Sequence, residues 1–252
     1  MKTSKQNRLT NVIASVVAAS SFVQIATASP VTLLQPTATF SQNFSGANYS
    51  ISKTIDGIIN DDRGWAIAPS SSSSAIPAQT AAFETAFDVG FVPGSLITFT
   101  LLQAHSNPGH NLGRFRFSVT TDNRGLFADG LDNAGDVTAN WVVLNPSTFT
   151  SANGATLTKL GDLSLLASGA NPSPDTYTIT APTSLTGITG IRLEALEDPS
   201  LPFSGPGRHG ANGNFVVSEL TMDIVAVPEP TALSIIAVGG FVLGMARRTK
   251  RA

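Results

Sequence analysis

Arg114-Phe115-Arg116-Phe117-Ser118-Val119 alternates charged or polar residues with apolar ones. In an extended chain successive side chains point to opposite faces, so Phe115, Phe117 and Val119 share one face and both arginines the other. The stretch reads as a half-buried strand. Similar runs lie at 95–101, 139–144, 175–180, 189–195 and 214–224, each bounded by the Gly, Pro, Asn or Asp that turn a chain. No long amphipathic helical pattern interrupts them. Short strands with turn clusters between them predict an all-β fold, an antiparallel β-sandwich of jelly-roll type. The stretch 69–77, with five consecutive serines, and the Gly- and Pro-rich stretch 200–213 read as exposed loops.

The 252 residues, 42% of them apolar, suffice for one sizeable core. With no cysteine, neither disulfides nor thiolate chemistry nor a cysteine-liganded zinc enters the account. The net charge of −2 hides an asymmetry, because basic residues crowd both ends. Between Ser29 and Ala226, eight basic residues face sixteen acidic ones, which makes nucleic acid a poor partner for the folded part. Residues 1–28 read as a secretory signal peptide: Lys2, Lys5 and Arg8, an apolar stretch at 12–19, and Ala26 and Ala28 in an A-x-A cleavage pattern. The expected working domain is therefore 29–226.

Residues 227–252 have three parts: Pro228-Glu229-Pro230, an apolar run of sixteen residues at 231–246, and Arg247-Arg248-Thr249-Lys250-Arg251. The prolines keep the first part extended. As a helix the run would span roughly 24 Å, slightly short of a hydrocarbon core of about 30 Å, with the basic cluster holding its end on the cytoplasmic side. The tail resembles the PEP-CTERM sorting signal; an ordinary C-terminal membrane anchor is the other reading. The resemblance implies exosortase and the secretion machinery as partners and at least transient membrane contact through the apolar helix. It also implies export to the cell surface, outer envelope or extracellular matrix.

Within the middle region, Ala38-Thr39-Phe40-Ser41-Gln42, Thr54-Ile55-Asp56-Gly57 and Gly64-Trp65-Ala66-Ile67 follow one another in order. Leu112 to Thr120, Gly190 to Leu196 and Asn212 to Leu220 come after them. This succession resembles discoidin-like domains, whose fold is the galactose-binding-like β-sandwich. The resemblance implies carbohydrate or another matrix component, such as an exopolysaccharide, as ligand. It also implies a structural Ca2+ at Asp56 and Glu219, with Asp61 and Asp62 as further oxygen donors, since calcium takes six to eight oxygens. Read without the resemblance, Asp56-Gly57 is an Asx-type turn and Glu219 a solvated strand residue. Trp65 reads as packed under the sandwich rather than as a stacking platform.

His105 and His110 flank the turn Ser106-Asn107-Pro108-Gly109, and His209 follows Arg208 in the Gly-rich stretch. All three histidines at one rim of a sandwich would bind a transition metal or, with Arg208, form a polar rim for a sugar; solvated loop histidines are the plain alternative. The acidic stretch 129–136 lacks the ligand spacing and closing glutamate of an EF-hand and reads as a loop. Gly205 to Gly210 matches G-x-G-x-x-G without a strand-to-helix context, and so reads as a loop too. Glu194, beside Arg192 on an outer strand face, reads as an ion-pair partner rather than a catalytic acid. The expectation is a non-enzymatic exported protein that binds carbohydrate. The alternatives are a structural adhesion or biofilm-matrix unit with protein partners and, more remotely, a polysaccharide lyase or hydrolase.

Overall fold

The computed structural model describes residues 27–44, 47–59, 63–69 and 76–228. Most of the signal peptide with Ala26, the sorting residues Glu229 and Pro230, the C-terminal apolar run with its basic cluster, the metal candidates Asp61 and Asp62, and the serine run lie outside the described residues. Among the described residues no helix is long and apolar enough to cross a membrane.

Two antiparallel sheets form the body. One is ordered β1 (Ser29–Val31), β14 (Glu219–Ala226), β6 (Ser95–Gln103), β12 (Asp175–Thr183) and β9 (Thr148–Ser151). The other is ordered β10 (Ala155–Lys159), β11 (Leu165–Gly169), β7 (Arg114–Thr120), β13 (Ile188–Ala195), β5 (Gln79–Val89) and β2 (Leu33–Ala38). The short β8 (Val142–Val143) pairs with β7, and β3 (Gln42–Phe44) with β4 (Ala47–Tyr49) makes a separate hairpin. The sandwich is the expected fold.

The alternation at 114–119 works as read. Phe115, Phe117 and Val119 are buried. Across the gap, Phe117 stacks on Phe99 of β6 at 3.9 Å between ring centres and Phe115 on Tyr177 of β12 at 5.8 Å. On the outer face, β7 and β13 are registered so that Arg116 lies opposite Glu194. The guanidinium donates to both carboxylate oxygens, at 2.8 and 3.0 Å, and Arg192 donates to the same group at 3.1 Å. Glu194 is thus the cross-strand ion-pair partner its position suggested.

Several stretches differ from the sequence reading: β2, β9, β10 and β11 were not among the expected runs, and of 214–224 only the part from Glu219 onward is strand. β5 escaped it because Gln79-Thr80-Ala81-Ala82-Phe83 does not alternate: Ala81 and Phe83 face the main core, while Ala82 is buried on the other face beneath Phe127. Of 139–144 only Val142 and Val143 join a sheet, because Trp141 turns back through N–H bonds to Ala139 and Val137. Its ring then packs edge-on against Phe127, with the Arg192 guanidinium 5.2 Å from its centre. Residues 200–213 are not an exposed loop. Gly205, Pro206, Gly207 and Arg208 are buried, and a Cβ on Gly207 would sit 2.1 Å from the Asn214 carbonyl oxygen, so only glycine lets these backbones approach. The next element after this stretch is strand β14 and not a helix, so its glycine pattern is not a dinucleotide motif.

The strand directions sort the ends of the sandwich. Ser29 lies opposite Ile224 and Ala226 opposite Ser95, so the described chain enters and leaves at one end. The loop from Gln103 to Arg114 and the stretch leading into Glu219 lie at the other. β6 separates the two ends by roughly 27 Å.

Candidate functional site

At the end away from the termini, the β6–β7 loop carries His105 and His110, and the stretch before β14 carries His209. The three rings meet. His110 lies nearly parallel to His209 at 3.8 Å and 17°, His105 sits 4.6 Å from His110, and Tyr49 of the small hairpin is 6.0 Å from His105. His110 is buried, whereas His105 and His209 are half-buried.

Hydrogen bonds fix each ring. Asn107 N–H donates to His105 Nδ1 at 3.1 Å, leaving His105 Nε2–H to donate to Tyr49 Oη at 3.2 Å. His110 Nδ1–H donates to the Asn107 carbonyl at 2.9 Å, and His209 Nδ1–H to Asn212 Oδ1 at 2.8 Å. In His110 and His209, Nε2 is therefore the acceptor nitrogen. Burial, opposed by the bond to Asn107 and reinforced by His209 and His105, pushes His110 down to about 4. It is neutral near pH 7.

Asparagines and one arginine hold the loops in place. Asn171 donates to the carbonyls of Gly109 and Arg208, both at 3.1 Å, while accepting from Asn111 at 2.9 Å. Arg208 is buried, and its guanidinium donates to the Ala170 and Gly169 carbonyls at 2.8 Å each. It braces the rim from beneath. Asn214 accepts from the N–H groups of Ile67 and Ala68 at 3.1 and 3.0 Å, tying the Trp65 segment to the same loop. Under the rim, Tyr177 Oη and Gln103 Nε2 are buried.

The sequence brought the histidines together by their turn contexts. It missed Tyr49, Asn107 and Asn212, which orient the rings, and Asn171, which ties their loops together. Asn107-Pro108-Gly109 was legible as a turn, but the reach of Asn171 from another loop depends on tertiary placement alone.

The second cluster lies at the start of β14. Burial raises Glu219 to about 7, against a bond from the Gly57 backbone and with the charge of Asp56 adding to the rise. Glu219 Oε2 is buried without a hydrogen-bond partner. Asp56 accepts from Ile58 N–H at 3.0 Å, the Asx turn that its sequence suggested, and lies 3.4 Å from Lys53 Nζ. Two carboxylates and an orphaned oxygen fit a hard cation in part. Among the described residues, no three His, Asp or Glu side chains are grouped to hold a metal ion. The near-parallel His110 and His209 rings suit stacking better than convergence on one ion.

The acidic stretch 129–136 is a structural loop. Asp132 bonds Ser50 and the Ile51 N–H, and Asp129 accepts from Leu131 and Asp136, both at 3.1 Å.

No protein-family model matches the chain. No curated protein matches it either. Solved structures do. One is a family 32 CBM from C. perfringens NanJ in complex with galactose, 12% identical, TM-score 0.38, covering 77% of this chain and 98% of that one. Another comes from work on the Streptococcus pneumoniae beta-galactosidase BgaA, 11% identical, TM-score 0.43, covering 77% of this chain and 96% of that one.

Proposed function

We propose that this protein is an exported, non-enzymatic carbohydrate-binding module that grips a sugar at the His105–His110–His209 rim. The observation carrying this reading is the near-parallel contact of His110 on His209, with both Nδ1–H groups tied to oxygens behind them. With His110 buried behind it, the half-buried His209 offers ring surface to the C–H side of a pyranose and its Nε2 to a hydroxyl. Three imidazoles with His110 held neutral favour a hydroxyl-rich neutral sugar over a charged one. The tail at 227–252 supports export by exosortase-dependent sorting, with the rim at the end opposite to the one where Val227 leaves.

Titrating residues 29–228 with mono- and oligosaccharides by calorimetry tests this directly. His209→Ala is expected to weaken the best ligand by about tenfold or more, the effect of losing one well-placed contact. An unchanged affinity in both His209→Ala and His105→Ala would place the ligand elsewhere.

Within the same reading, Ca2+ is held by Asp56 and Glu219, completed by backbone carbonyls and by Asp61 and Asp62. The partnerless Glu219 Oε2 supports it. A cation there neutralises two carboxylates at the junction of the 54–57 segment with β14. A chelator is expected to lower Tm by mass action. A melt that does not move on adding chelator or calcium rules the ion out.

A further inference from the structure

At the end where the chain enters and leaves, the surface is apolar. Phe87 is 80% exposed and Val92 79%, with Phe91 beside them at 42%. Behind them, a groove of about 280 Å³ opens between β1 and the end of β5, lined by Pro30, Val31, Phe87, Val89, Phe91 and Ile224. Phe87 falls on the core-facing side of β5, in step with Ala81, Phe83 and Thr85, but overhangs the end of the sandwich instead of entering it. A cluster of large apolar side chains projecting from one tip marks a contact surface. Asp88, next to Phe87, pairs with Arg124 at 2.8 Å.

We propose that this tip docks on a lipid bilayer, with Phe87, Phe91 and Val92 at the headgroup level. The place where the described chain leaves argues for that occupant. Val227 N–H donates to the Gly94 carbonyl at 2.9 Å, so the C-terminal strand exits over the same β5–β6 turn that carries Phe91 and Val92. The apolar run begins at Thr231, four residues on, at most about 14 Å of extended chain away. This docking rests on the reading of that run as membrane-inserted. A short tether of that kind holds the tip within reach of the interface, where aromatic and aliphatic side chains are preferred. The domain then stands with its histidine rim facing away from the lipid. The tether and the apolar tip together set an orientation that neither sets alone.

The chain has no native cysteine, so single spin labels are clean. The full chain, reconstituted in vesicles of phosphatidylcholine and phosphatidylglycerol, is labelled at Val92→Cys, at Gly240→Cys in the run, or at Asn107→Cys on the rim. Power saturation is then read against oxygen and a water-soluble nickel chelate. The expected result is oxygen-dominated relaxation at 92 and 240 and nickel-dominated relaxation at 107. Lipid at 240 with water at 92 overturns the docking alone. Water at 240 overturns the reading of the tail, and the docking with it. Dipolar broadening at 92 that persists at high lipid-to-protein ratio shows a second copy on the patch and likewise overturns the proposal.

Discussion

Trp65→Ala is expected to destabilise the domain by about 3–5 kcal/mol, the range for removing a large aromatic side chain from a packed core. Trp65 is fully buried, meets Phe215 edge-on at 5.2 Å, and donates its Nε1–H to the Phe40 carbonyl at 3.0 Å. Its backbone exchanges hydrogen bonds with Val217 at 2.9 and 3.0 Å, so the residue fastens the 64–68 segment to the stretch entering β14. Gly64 allows this approach, because at a φ of +154° a Cβ would lie 2.4 Å from the Val217 carbonyl oxygen. Trp65→Phe keeps most of the ring but leaves that Phe40 carbonyl unpaired, and should cost about 1–3 kcal/mol. Urea unfolding followed by circular dichroism reads both as falls in midpoint at constant slope. A loss of under about 1 kcal/mol for Trp65→Ala, together with lost sugar binding, would instead make Trp65 part of the ligand platform.

The same residue shows what the sequence could say. Gly64-Trp65 was recognisable as part of the resemblance to discoidin-like domains, and that resemblance implied a packed Trp65. Strands with one wet face were legible from alternation alone, β7 and β12 most plainly. β5 was not. Its Ala82 is buried beneath the 127–141 segment, so both faces of the strand are apolar there and the period of two disappears. The 200–213 stretch misled for a related reason. Gly and Pro usually mark solvent-facing turns, but Gly207 and Gly213 permit close backbone packing that composition does not distinguish from a turn. At the rim, histidines were visible as residue types, whereas their stacking depends on two loops brought together by β6, β7 and β14. Arg208 was expected beside them at the surface. Burial turned it inward, because two unpaired carbonyls at Gly169 and Ala170 needed a donor.

Acid should reveal the rim as a stability element. His110 titrates near 4 when folded and near 6.5 when unfolded, so between those values the unfolded chain binds the extra proton. The stabilisation is complete above pH 6.5 and is lost as pH falls toward 4. At 1.36 kcal/mol per unit, and with His110 only 8% exposed, the loss is expected to reach about 2–3 kcal/mol. The groups facing His110 are His105 and His209, both of which disfavour a charge on its ring, while the nearby Arg208 guanidinium is already engaged with carbonyls. Glu219 acts with the opposite sign. Its folded value is raised to about 7, so its contribution is complete below its ordinary carboxylate range and is lost as pH rises toward 7. Because Glu219 is half-exposed, screening trims that effect to about 1–2 kcal/mol. In the native chain the two slopes oppose each other between about pH 4.5 and 6.5, which flattens the profile. The variants separate them. Measured in chelator, Glu219→Gln should uncover a stability that falls steeply with acid, and His110→Gln one that falls as pH rises. If the His110→Gln profile between pH 4 and 6.5 matches that of the unaltered chain, the ring is not held neutral by its burial, and the stacked rim loses its physical basis.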